Sequence, residues 1–153
     1  GGTAGDPMAD QPDIFKHSVY IQGDGHEVTI KNNIVTRGSS HGIQLRPGGT
    51  LEGNLVFDNP INVLVAGASG EFSSVRRNVI LDPSPSINPE NPRGDNLHLE
   101  NLNGIEIVDN VISHSNPTTS GGMLDFSRGN EGYSLVNASQ PVEPPWRSLC
   151  INY

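Results

Sequence analysis

Ile30-Lys31-Asn32-Asn33-Ile34-Val35 decides how the rest of the chain is read. An aliphatic residue is followed by two variable positions, an Asn and two β-favouring residues. The unit returns as Leu51-Glu52-Gly53-Asn54-Leu55-Val56, as Val75-Arg76-Arg77-Asn78-Val79-Ile80 and as Ile107-Val108-Asp109-Asn110-Val111-Ile112. Asn33, Asn54, Asn78 and Asn110 therefore recur at intervals of 21, 24 and 32 residues. Self-similarity at such a period marks stacked supersecondary units. Each unit reads as two short strands with a sharp bend between them. Asn at the bend tolerates the left-handed conformation needed there. Stacked Asn side chains can also hydrogen-bond to one another in a ladder, so these four are assigned a structural role.

Between the units lies a second kind of strand. Its copies are His17-Ser18-Val19-Tyr20-Ile21, His41-Gly42-Ile43-Gln44-Leu45, Ile61-Asn62-Val63-Leu64-Val65, Asp95-Asn96-Leu97-His98-Leu99 and Gly122-Met123-Leu124-Asp125-Phe126. Apolar residues alternate with polar or small ones, the period of a strand with one buried face. The inward residues are then Val19/Ile21, Ile43/Leu45, Val63/Val65, Leu97/Leu99 and Leu124/Phe126. Three outward rows follow: Tyr20, Gln44, Leu64, His98, Asp125; Gln22, Arg46, Ala66, Glu100, Ser127; and Ser18, Gly42, Asn62, Asn96, Met123. His17 falls beside His41.

Composition agrees. In 153 residues there are 18 Gly, 12 Pro and 16 Asn but only 5 Ala, which excludes a helical bundle. The hydrophobic share is 33% and the aromatic share 5%, lean for a globular core but enough for a thin stack of aliphatics. Net charge is −8, with no basic stripe, so a nucleic-acid partner is not expected. No apolar run approaches a membrane span. Cys150 is the single cysteine, so no internal disulfide is possible. Residues 1–14 read as an N-terminal arm or cap remnant, 15–126 as the repeat, and 127–153 as a C-terminal extension or cap.

The repeat over residues 17–126 resembles the right-handed parallel β-helix: an all-β solenoid, here of about four to five coils. Ser40-His41-Gly42-Ile43-Gln44-Leu45-Arg46-Pro47-Gly48-Gly49 looks like the bacterial lyase-like members. The resemblance implies a secreted or periplasmic carbohydrate-active protein, foremost a polysaccharide lyase. Its substrate would be an acidic polysaccharide such as alginate or pectate, a uronate polymer cleaved by β-elimination. The alternative is a non-catalytic glycan-binding or structural β-helix module, or a fragment of a larger β-helix lyase, epimerase or hydrolase.

In a lyase of this kind a cation neutralises the uronate carboxylate, a base takes the C5 proton and an acid protonates the leaving oxygen. Arg46 suits the first task, because a guanidinium matches a carboxylate bidentately. His41, or secondarily His17, suits the second, since imidazole titrates near neutrality. Tyr20 suits the third. Gln22, Gln44, Asn62, His98 and Glu100 are expected to contact the glycan. Asp95, Glu100 and Asp125 offer oxygens of the kind Ca²⁺ takes. Glu100 and Asp125 could also form the carboxylate pair of a hydrolase. Each residue has a plainer use: His41 bonding the backbone at its turn, Arg46 pairing with Glu52 or a neighbouring acid, Tyr20 covering apolar surface. The loops Asp82–Gly94 and Ser113–Gly121 are expected to wall the groove.

Overall fold

The structure is a computed structural model that describes residues 13–23, 28–67, 72–86, 93–102, 104–115 and 122–125. These carry strands and no helix, and so no helix able to cross a membrane. The strands are β1 (Val19–Ile21), β2 (Thr29–Lys31), β3 (Ile34–Thr36), β4 (His41–Leu45), β5 (Thr50–Glu52), β6 (Leu55–Phe57), β7 (Ile61–Ala66), β8 (Ser73–Arg76), β9 (Val79–Leu81), β10 (Asp95–Glu100), β11 (Ile105–Val108), β12 (Val111–Ser113) and β13 (Leu124–Asp125).

They form three parallel sheets visited in the same cyclic order. Sheet A is β1-β4-β7-β10-β13, sheet B is β2-β5-β8-β11, and sheet C is β3-β6-β9-β12. The repeated six-residue unit supplies the end of a sheet B strand and the start of a sheet C strand; the other kind of strand builds sheet A. The expected arrangement, parallel strands stacked in register around a narrow interior, is the observed one.

The interior is aliphatic. Sheet A contributes Ile43, Leu45, Val63, Val65, Leu97 and Leu99; Leu51, Val75 and Ile105 come from sheet B, and Val35, Val56 and Ile80 from sheet C. Val19 and Ile21 pack against this core from the first strand, partly buried. Leu124, expected inside, is 40% exposed. Among the described residues sheets B and C have no strand beyond β11 and β12, so β13 lacks a full floor. Phe126, Ser127 and the segment 127–153 lie outside the described residues, as do 1–12 and, in the loops expected to wall a groove, 87–92 and 116–121.

The Asn ladder is present. Asn33 Nδ2 donates to Asn54 Oδ1 (3.1 Å), Asn54 Nδ2 to Asn78 Oδ1 (2.9 Å) and Asn78 Nδ2 to Asn110 Oδ1 (3.0 Å). The left-handed residue, however, is not the ladder Asn but the one before it. Asn32, Gly53, Arg77 and Asp109 have φ of 56°, 66°, 52° and 54°. Three of these are not Gly, a conformation that costs free energy. Backbone bonds between turns hold it: Asn32 N–H to Glu52 O (3.1 Å), Gly53 N–H to Arg76 O (3.2 Å) and Arg77 N–H to Val108 O (3.1 Å).

The three outer faces differ. On sheet B, Glu52 takes Lys31 (3.0 Å), Arg76 (3.2 Å) and Arg77. On sheet C, Ile34, Leu55, Val79 and Val111 stand in register, and the two end members are 73% and 56% exposed. Sheet A and the residues flanking its strands carry His17, His41 and His98 with Asp95, Glu100 and Asp125.

Candidate functional site

The outward rows of sheet A follow the expected register. Tyr20 pairs with Gln44, Gln44 with Leu64, Leu64 with His98 and His98 with Asp125. Glu100 pairs with Ala66 in the next row. Every residue of β4, β7 and β10 is buried on both faces, which differs from an open polar groove. Gln44 is 2%, His41 5%, His98 8% and Glu100 8% exposed. At the surface stand Tyr20, Gln22 and, partly, His17, Arg46 and Asp125.

Buried polar groups need partners, and here they find one another. Arg93 donates to Ser40 Oγ, which lies 2.9 Å from His41 Nδ1. His41 Nδ1 meets His17 Nδ1 at 2.9 Å. In the amide orientation that satisfies its neighbours, Gln44 donates to His17 Nε2 (3.1 Å) and accepts from Arg46 Nη2 (2.8 Å) and Nε (2.9 Å). Arg46 Nη1 reaches Glu100 Oε2 at 3.2 Å, and Glu100 Oε1 lies 3.1 Å from His98 Nε2. His98 Nδ1 is 2.8 Å from Asp125 Oδ2 and 3.5 Å from Asp95 Oδ2. The contacts run unbroken across five strands' worth of surface, from Arg93 to Asp125.

The two ends of this network differ in charge. Burial, then the Arg93 guanidinium, then His17 itself bring His41 down to about 3. Burial also lowers His17, with Arg93 and Arg46 adding to it. Both imidazoles are neutral at pH 7, so one hydrogen can be shared between the facing Nδ1 atoms. At the other end burial alone would depress His98, but its bonds to Asp95 and Glu100 and the charge of Asp125 outweigh it and raise the group.

This geometry departs from several of the expected roles. Arg46 pairs with Glu100, not Glu52, whose carboxylate is filled by the three cations of sheet B. His41 bonds Ser40 and His17 rather than backbone, and at 5% exposure has little surface to offer a substrate. Asn62 does not face outward for a glycan. It is fully buried in a second ladder, donating to Asn96 Oδ1 (2.7 Å) and Leu81 O (2.7 Å) and accepting from Asn59 Nδ2 (2.9 Å). Tyr20 Oη donates to Gln22 Oε1, and its ring lies 5.1 Å from that of His17.

Asp95, Glu100 and Asp125 do not converge on one point as a set. The group that does is Asp95, His98 and Asp125, whose ligand atoms all lie within 4.8 Å of one another. The sequence places His98 in one cluster with Glu100 and Asp125, but only the oxygens were expected as ligands and not the imidazole between them. Arg93 and Ser40 gave no signal, because their parts depend on contacts 53 residues apart. Comparison of the chain with protein-family models, with curated proteins and with solved structures finds no match.

Proposed function

We propose that the chain is a carbohydrate-active right-handed parallel β-helix of four turns and the start of a fifth, acting as a lyase on a uronate-containing polymer. The strand order supports the turn count. Parallel crossovers are right-handed in about 98% of cases, which supports the hand. The observation that carries the function is one surface patch: Arg46, 41% exposed and oriented from behind by Glu100 and Gln44, beside neutral His17 and exposed Tyr20.

On this reading Arg46 pairs with the uronate carboxylate, making the C5 proton more acidic. His17, rather than His41, is the base, because it is the less buried of the pair. Its Nε2, where the Gln44 amide now sits, takes the C5 proton; the C4–O bond breaks as the C4–C5 double bond forms. Tyr20 gives its hydroxyl proton to the leaving oxygen, and the imidazolium proton then returns to the phenolate. The second reading, glycan binding without turnover, is favoured by the buried, fully engaged state of His41 and Gln44.

Ultraviolet absorbance of the unsaturated uronate separates them. Incubated with alginate and with pectate, the protein is expected to raise it, and Arg46→Ala to abolish the rise. Retained glycan binding with no rise assigns the second reading. Neither binding nor a rise on a panel of acidic polymers overturns both.

A further inference from the structure

The elimination chemistry leaves the far end of the network idle, and that end has the build of a metal centre. β10 and β13 are adjacent and in register, which brings His98 and Asp125 side by side. Asp95 opens β10 and turns its carboxylate to the same point. Each group is aimed by a partner outside the trio. The Gly122 N–H donates to Asp95 Oδ1 at 3.0 Å, leaving Oδ2 to face the imidazole. Glu100 Oε1 stands 3.1 Å from His98 Nε2, and Arg46 holds the other Glu100 oxygen at 3.2 Å.

With a carboxylate holding the hydrogen on Nε2, an ion can take the place of the Nδ1 proton between the two Asp oxygens, the outer-shell arrangement that commonly orients a metal-ligating His. Asp95, Glu100 and Asp125 bring three negative charges, and Arg46 returns one. With neutral imidazole a divalent ion would balance the rest. Asp95 and His98 are 9% and 8% exposed, so the charge excess is largely shielded from water. The side chain of Asp125 is 35% exposed and leaves a way in.

Donor type selects the ion. Ca²⁺ takes six or more oxygens, whereas this trio has two carboxylates and a nitrogen. Imidazole with carboxylate suits Zn²⁺ and its first-row neighbours, with a coordination position left over for water or a substrate oxygen. The trio therefore suits such an ion better than it suits Ca²⁺.

We propose that Asp95 Oδ2, His98 Nδ1 and Asp125 Oδ2 bind a divalent first-row transition ion, Zn²⁺ foremost, with Glu100 positioning the imidazole. The site stands whether or not the chain cleaves a glycan.

Calorimetric titration of the metal-stripped full chain with ZnCl₂, MnCl₂ and CaCl₂ tests it without any substrate. One equivalent of Zn²⁺ is expected, bound more tightly than Ca²⁺. His98→Gln and Asp125→Asn should abolish the uptake, and Glu100→Gln should weaken it about 10- to 100-fold. Circular dichroism reports whether each variant folds. Should they not fold, the wild-type chain decides by NMR, where Zn²⁺ must shift His98 Nδ1 and leave His41 in place. No Zn²⁺ uptake by folded wild-type protein, uptake undiminished in both folded ligand variants, or preferential Ca²⁺ binding overturns the proposal.

Discussion

Asn54 is a buried amide with its polar atoms engaged. Its Nδ2 donates to Ile30 O (2.9 Å) and Asn78 Oδ1 (2.9 Å), while its Oδ1 accepts from the backbone N–H (3.0 Å) and Nδ2 of Asn33. Asn54→Ala strands the Asn33 N–H and the Ile30 carbonyl, and should cost at least about 2 kcal/mol in urea unfolding. Asn33→Ala, at an exposed position, should cost less than about 1 kcal/mol. His41 sets a different dependence. Folded, it titrates at about 3; unfolded, it returns toward 6.5. The unfolded chain therefore binds the proton first as pH falls through 6.5, and stability declines until about pH 3 is reached. At pH 5 this one group removes about 2 kcal/mol. His17, lowered by the same main cause, acts in the same direction. Melting temperatures followed from neutral to mildly acid pH should fall in the wild-type chain and fall less in His41→Gln. The ladder of Asn33, Asn54, Asn78 and Asn110 was legible because its spacing is that of the repeat. Of the Asn59–Asn62–Asn96 ladder only the Asn62–Asn96 step was legible, as neighbours in a row read as outward; Asn59, 3 residues before Asn62, follows no period.

At the scale of the strand, a narrow stack has almost no spare room at its bends. A methyl group on Gly42, inside β4, would come within 2.6 Å of Asn62 O and 2.7 Å of Asn59 Nδ2. Gly42→Ala should push the second ladder apart and lower stability by about 1–3 kcal/mol in the same urea assay. On sheet B the cations around Glu52 hold its carboxyl down at about 2. Their contribution is present at neutral pH and fades as pH falls from about 4.5, the unfolded value, to about 2. In Glu52→Gln the three cations face one another, so its melting temperature should recover with added salt, opposite to the wild-type trend. The alternating pattern disclosed which sheet A residues face inward, from Ile43 to Leu99, because one face must be apolar. It did not disclose that the outward face is buried too. Burial of Gln44, Leu64 and His98 depends on what packs over the sheet, which a strand's own periodicity does not encode. The left-handed position was misplaced by one residue for a related reason. Asn is adapted both to that conformation and to a ladder, and the ladder claims it.

Across the whole molecule, inside and outside are separated by single residues. Leu51 is 1% exposed at the centre of sheet B, while Ile34 is 73% exposed on the outside of sheet C. Both are aliphatic members of the same repeated unit. Leu51→Ala should cost about 2–5 kcal/mol through the cavity it leaves, whereas Ile34→Ala should change stability by less than about 0.5 kcal/mol. Equal losses in chemical denaturation would contradict the stack as described. The architecture was readable because a repeat states it several times over. The site was readable only as rows, since the partners that orient its groups come from unrelated parts of the chain. One property of the ladders reaches further than stability. Every Asn-to-Asn hydrogen bond in both points the same way, from the earlier residue to the later: Asn33 to Asn54, Asn54 to Asn78, Asn78 to Asn110, Asn59 to Asn62 and Asn62 to Asn96. The solenoid is thus a vector, with a donor sense along its axis and unlike ends. Two copies meeting end on could not be related by a twofold and still continue that bonding. They would join head to tail, an association that propagates into a filament instead of closing as a dimer.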